Sequence, residues 1–414
     1  MARSRRNKRR STSKVIDYFS KFAITAIIII VICTIILLIR NGLQAVEVAN
    51  QKMKLEKEIE AIFEQPTNQE EVIETEEKAE DTTIEIAVVG DILCGSAMLE
   101  DAKTEGENYD FTPMLERIQT VTNDASLTIG TMETNFIQGQ AYSGVEKYNA
   151  PTNFAETIKQ SGVDIVSIAH NHSLDYGVDG LMQTKQTLEN VGLATVGTQN
   201  FIIQEVQGIK IALIAYTYGF SNEKELSTEE MQNVNMYSAE KAKADIEQAK
   251  QNADYIMIIM HWGEVNSTKR NNEQEQIADY LVNLGANAII GSHPAVPQPM
   301  QMKQDVNGEY QFISYSLGNY ISSLGYENSN LEIIVKLQIR KQAETGKVIL
   351  EKVTYTPLYV LDQGKEQDNR YVVLDVKEEA KKYLAGENNI SQNTYEKLME
   401  SLDKIESIIR SNEQ

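Results

Sequence analysis

Cysteine is nearly missing from this chain: Cys33 and Cys94 are the only two in 414 residues, and Cys33 lies inside a long apolar run. Two such distant residues supply no disulfide framework. With 42% hydrophobic residues, the chain must hold itself together through a sizeable core instead. Histidine is scarce too, with four residues, and there is one tryptophan. Lys and Arg number 39 against 60 Asp and Glu, a net charge of −21. A duplex nucleic acid is excluded as a partner of the acidic part, because its phosphates would meet no basic groove. No internal repeat is present, and Ser316 has no Gly-x-Ser-x-Gly elbow, which argues against a serine nucleophile.

The basic residues that do occur are concentrated at one end. Residues 1–21 carry Arg3, Arg5, Arg6, Lys8, Arg9, Arg10, Lys14 and Lys21 against Asp17, a charge of +7 that leaves −28 for the rest. From Phe22 to Ile39 there is no charged residue. Those 18 residues fall within the roughly 17 to 25 that cross a bilayer as a helix. The basic flank on one side predicts a cytoplasmic arm, an uncleaved transmembrane anchor over 22–40 and export of everything after it to the cell surface. A cleaved signal peptide would have a shorter apolar region and a small-x-small site, and the nearest match, Gln44-Ala45-Val46, is poor. The arm's contacts are then with anionic lipid.

Leu43, Val46, Leu55, Ile59, Ile62 and Phe63 recur among charged residues as a short amphipathic stalk helix. Residues 64–81 hold eight carboxylates and almost no large apolar side chain, so they read as a solvated tether, and stalk and linker together occupy 41–82. The globular part, 83–375, opens with the apolar run Ile84–Val89 ending in Gly90-Asp91. Strand-like segments follow at 127–132, 164–168, 209–215, 255–260 and 288–290, with helical patterns between them near 112–121, 153–161, 178–190, 238–252 and 273–284. Such alternation predicts α/β construction. Later strands near 310–315, 331–340, 348–358 and 371–375 read as a second, mostly antiparallel sheet, and residues 376–414 as a helical tail.

Polar residues of metal-ligand type follow several of these strands. They are Asp91, then Glu133, then His170-Asn171-His172 with Asp175, then His261 and His293, and all four histidines belong to this set. Open α/β sheets bind ligands beyond the carboxyl ends of their strands, so a shared polar site is expected. Carboxylate and neutral imidazole suit Mn, Zn or Fe, and two such ions can clamp a phosphoryl group. A hydrogen-bonded polar cluster without an ion is the alternative. Trp262 could wall the site or be a packed aromatic. Cys94 also follows a strand, but the neighbouring Asp91 works against a lowered thiol pKa.

Gly90-Asp91-Ile92-Leu93, Met132-Glu133-Thr134, Asn171-His172-Ser173-Leu174-Asp175-Tyr176-Gly177, His261-Trp262-Gly263, Gly291-Ser292-His293-Pro294 and Ser316-Leu317-Gly318-Asn319-Tyr320 together resemble the ordered signature of the CapA family of poly-gamma-glutamate capsule synthesis proteins. The likeness covers roughly 83–325. It implies an α/β (α+β) fold, a four-layer αββα metallophosphatase-like sandwich of the calcineurin-like superfamily, here preceded by one N-terminal transmembrane helix. By the same likeness Asp91, Glu133, Asn171, His261 and His293 are metal ligands for one or two divalent transition-metal ions (Mn, Zn or Fe). His172 is the proton donor or transition-state stabiliser, and Asp175 orients it.

The implied role is synthesis, export or attachment of a capsular polymer through a hydrolase-like, phosphoesterase-like site. Its partners would be the membrane, the acidic polymer or its precursor, and membrane synthase subunits. Three positions depart from the family pattern. His170 stands where the family commonly has Asn; Ala295 stands where it has a second His; and Glu264 directly follows His-Trp-Gly while Val265 takes the acid's usual place. Ala295 removes one candidate ligand of a second ion and speaks for the alternative of a metal-free binding subunit. A surface metallohydrolase unrelated to capsule is the other alternative.

Overall fold

The computed structural model describes residues 80–411 except Glu107, Gln199, Val306, Asn307 and Asp368. The expected arm, span and stalk lie outside the described residues, and among those described no helix is long and apolar enough to cross a membrane.

The apolar run at the start of the globular part stays extended as β1 (Thr82–Ile92). The strands that follow in chain order are β2 (Leu127–Met132), β3 (Ser143–Val145), β4 (Lys147–Asn149), β5 (Ile165–Ser167), β6 (Ala194–Val196), β7 (Ile202–Val206) and β8 (Ile209–Thr217). They continue with β9 (Tyr255–His261), β10 (Ala288–Ser292), β11 (Met300–Gln304), β12 (Tyr310–Ser314), β13 (Asn319–Ile321), β14 (Leu331–Lys341), β15 (Val348–Asp362) and β16 (Tyr371–Asp375).

The result is a mixed α/β fold with two large sheets. The first has the order β16-β15-β14-β1-β2-β5-β6, with β13 beside the end of β1. In it β1, β2, β5 and β6 run parallel. The second has the order β11-β12-β10-β9-β8-β7, with β8, β9, β10 and β12 parallel. The separate antiparallel sheet expected from the late strands does not form. Strands β14 to β16 extend the first sheet antiparallel from β1, and β12 joins the second beside β10. Period-2 patterning sets which residues face the core, but the choice of partner edge depends on distant backbone groups needing hydrogen bonds.

Burial on both faces explains the near-continuous apolar character of the parallel strands. On one face of the second sheet, Ala212, Ile214, Ile258 and Met260 pack with Ala242, Ile246, Leu281 and Val282 of helices Ala239–Ala249 and Asn272–Leu284. Ile211, Leu213 and Met257, pointing the other way, are equally buried. The second of those helices begins with a capping box between Asn271 and Gln274 and stops at Gly285 with φ +102°. The expected helix over 112–121 is broken into Thr112–Leu115 and Gln119–Asn123. The Thr122 hydroxyl bonds to the Gln119 and Ser161 carbonyls there, a local alternative to helical pairing. Helices Val376–Ala385 and Gln392–Ile409 pack Val376, Leu398 and Leu402 against Leu361, Val372 and Leu374 of β15 and β16.

Two glycines let the strand ends close. A Cβ on Gly90 would stand 2.1 Å from the Gly318 carbonyl oxygen, and one on Gly291 would stand 1.9 Å from that of Tyr315. Both obstacles are backbone, so neither can rotate away. We predict that Gly90→Ala and Gly291→Ala each destabilise the fold by about 2 kcal/mol or more, at the upper end of ordinary overpacking. Urea unfolding followed by circular dichroism reads this, and an unchanged midpoint would contradict the close approach.

Candidate metal centre

Parallel strands bring their carboxyl ends to one edge of a sheet, and here the edges of two sheets supply one site. Asp91 is the penultimate residue of β1, where the pairing with β2 and β13 shifts register, and Glu133 immediately follows β2. Asn171 and His172 lie in the turn after β5. From the second sheet come His261, the last residue of β9, and His293, the first after β10.

Ligand atoms of Asp91, Glu133 and His261, all buried, lie within 4.8 Å of one another. Asn171 joins them across the sheets: its Oδ1 is 2.8 Å from His261 Nε2. Ligand atoms on one ion at roughly 2.0–2.2 Å stand about 3 Å apart, so this separation suits neighbours in a coordination shell. His261 Nδ1 is 2.9 Å from Ser292 Oγ. The His293 ring is 4.7 Å from that of His261, and its main-chain N–H donates to Asp91 Oδ2 at 2.8 Å. His293 has φ +95° and Ala295 φ +59°, a pair of strained residues of the kind that gathers at functional sites.

The donor set fits a divalent cation. Asp91 Oδ1 is buried without a hydrogen bond of good geometry, although buried polar atoms almost always have one, and Glu133 and Ser292 are the side chains that come near Asp91. Burial raises the Asp91 pKa, and burial together with the charge of Asp91 holds that of Glu133 well above the usual carboxylate range. A bound cation would offset both effects. Burial and the neighbouring imidazoles hold His261 far below its ordinary pKa, and burial chiefly pushes His293 down to about 4. Both rings are therefore neutral near pH 7, as ligands must be.

Beside this group, His172 Nδ1 is 2.8 Å from Asp175 Oδ2, which fixes the ring and leaves Nε2 to exchange a proton. Tyr148 of the β3–β4 hairpin meets His172 edge to face at 4.9 Å. The buried His170 orders the turn: its Nδ1 accepts from the main-chain N–H of His172.

Other candidates fall outside the cluster. Glu264 is exposed. Trp262 is a packed aromatic, its indole N–H donating to the Tyr315 carbonyl. Ser316 is buried in a turn, where its hydroxyl donates to the Val296 carbonyl and accepts from the Gly318 N–H. Cys94 is buried and its thiol pKa is raised by burial. Ala295 is also buried, and its methyl group offers no ligand where the family resemblance implied a second imidazole.

The segment after β8 was not among the expected site residues. Tyr218 lies 51% exposed against the His261 and His293 rings, and Ser221 bonds to Asn171. The signal was the same as elsewhere, since the apolar strand runs into Thr217-Tyr218-Gly219-Phe220-Ser221-Asn222.

Metal uptake must displace protons from Asp91 and Glu133, while the imidazoles are already neutral. Affinity for Mn²⁺ is therefore predicted to rise between pH 6 and 8, by up to roughly ten-fold per pH unit for each proton released. Titrations in two buffers of different ionisation enthalpy measure that release, and a pH-independent affinity would contradict the raised carboxyls.

Residues 85–324, more than half of the chain, match the family described as bacterial capsule synthesis protein PGA_cap. The capsule biosynthesis protein CapA of Bacillus anthracis is 27% identical over 291 residues, covering 66% of this chain and 67% of that one. The PGA biosynthesis protein CapA of Bacillus subtilis (strain 168) is 26% identical over 282 residues, covering 64% and 70%. Among solved structures, the calcineurin-like phosphoesterase YfkN from Bacillus subtilis aligns with a TM-score of 0.41 at 14% identity, over 67% of this chain and 91% of that one. With its six ordered motifs inside the matched span, the chain belongs to the PGA_cap family of bacterial capsule synthesis proteins.

Proposed function

We propose that this chain is an envelope protein for the synthesis, export or attachment of a capsular polymer, poly-gamma-glutamate or a related acidic chain, working through a metal-dependent hydrolytic centre. The observation that carries the enzymatic part is the buried Asp91, Glu133 and His261 cluster, in which Asp91 Oδ1 has no hydrogen bond of good geometry. Asp91, Glu133, Asn171, His261 and His293 would hold the ion or ions of Mn, Zn or Fe. When bound, such an ion supplies Lewis acidity and a water that ionises near neutral pH. The chain's own part is to hold and move a proton. Asp175 keeps a proton on His172 Nδ1, so that Nε2 delivers or takes one at the reacting group. The helices outside the second sheet support reading the architecture as the four-layer sandwich of metallophosphatases.

Membrane anchoring with the domain outside the cell is part of the same reading, supported by the +7 arm before the uncharged 22–39 segment. Protease added to intact cells should then remove residues beyond the anchor while sparing the arm. Full protection of the whole chain would overturn that topology.

A second reading, a binding subunit without an ion, draws on Ala295. The two separate in a strain lacking this chain. If the centre is catalytic, wild type restores surface polymer and His172→Ala, expressed to the same level, restores about a hundredth or less, as the 10²–10⁴-fold typical of a lost general acid requires. Full restoration by His172→Ala would favour the binding subunit.

A further inference from the structure

Asn171 must present its oxygen, not its NH₂ group, to a cation. A carboxamide has an oxygen face and an NH₂ face of nearly equal size, and only the oxygen can ligate a cation. The group that orients it lies in the segment after β8, which no motif singled out. Asn171 Nδ2 donates to Ser221 Oγ at 2.6 Å, on the side of the carboxamide away from His261. The Ser221 main-chain N–H donates in turn to the Asn171 carbonyl at 2.8 Å. One residue later, Asn222 Nδ2 donates to the Leu174 carbonyl at 2.9 Å. Three hydrogen bonds thus tie the end of β8, in the second sheet, to the turn after β5 in the first.

We propose that Ser221 is a positioning residue that fixes the rotamer and the amide orientation of Asn171, so that Oδ1 faces the cation site. The proposal rests on the metal reading above and deepens it. Ser221 is exposed and contributes nothing to the core, so its hydroxyl can be removed without a cavity. Its main-chain bond to Asn171 survives substitution, which isolates the side chain's effect. Groups that orient a metal ligand are worth roughly ten- to a hundred-fold in affinity when removed.

The test is a calorimetric Mn²⁺ titration of the full-length chain in detergent at pH 8, comparing wild type with Ser221→Ala, Ser221→Thr and Asn171→Ala. Crystal structures of wild type and Ser221→Ala without metal accompany it. The expected result is a ten- to hundred-fold weaker affinity in Ser221→Ala, recovery in Ser221→Thr, and a rotated or doubly placed Asn171 carboxamide in the Ser221→Ala crystal. Wild-type affinity in Ser221→Ala while Asn171→Ala loses it would overturn the proposal. If wild type itself takes up no Mn²⁺, the metal reading has failed. The crystals then decide separately: an unmoved carboxamide in Ser221→Ala overturns the positioning role, and a reoriented one sustains it.

Discussion

Two carboxyl groups, Asp91 and Glu133, are buried side by side where the ends of two sheets meet, and most features of the site are consequences of holding them there. Taking an ionised carboxylate out of water costs several kcal/mol unless charge or hydrogen bonds compensate. Asp91 has one oxygen satisfied by the His293 N–H, while the other has no hydrogen bond of good geometry and only Glu133 and Ser292 close by. A cluster of that kind is an unfavourable piece of core and a favourable cation cage. The neutral imidazoles and the carboxamide around it are the donors that the second description requires.

The close packing behind the cluster follows from the same constraint. Gly90 and Gly291 let the ends of β1 and β10 lie against the backbone at Gly318 and Tyr315. That approach places the His293 N–H against Asp91 and lets the first sheet's Asn171 reach the second sheet's His261. The unusual φ of His293 belongs to this geometry, since strain at one residue is tolerated where the surrounding packing over-determines it.

Much of this was legible in the sequence. The strand expected at 127–132 is β2 residue for residue, and the helices expected at 153–161 and 178–190 differ from Thr152–Gln160 and Gly177–Asn190 by a residue at the ends. A polar residue after an apolar run is a local signal, and it marked Asp91, Glu133, the His170-Asn171-His172 turn with Asp175, His261 and His293 as a group, whereas the choice of ligands within that group came from the family resemblance. What stayed hidden was non-local. Nothing in β14 says that its partner is β1 across more than two hundred residues, or that β12 belongs beside β10. Tyr148 sits in a three-residue strand too short for periodicity to show, and Ser221 lies past the point where the apolar run of β8 ends. Both matter through contacts with the turn at 171–175, which sequence patterning does not report.

On this reading the two sheets close around a cation. Crystals of the chain grown with Mn²⁺ at pH 8, measured for anomalous scattering near the manganese edge, test it directly. An anomalous peak is expected at bonding distance, about 2.0–2.2 Å, from oxygens of Asp91 and Glu133 and a nitrogen of His261. A well-ordered site with no anomalous peak would contradict it.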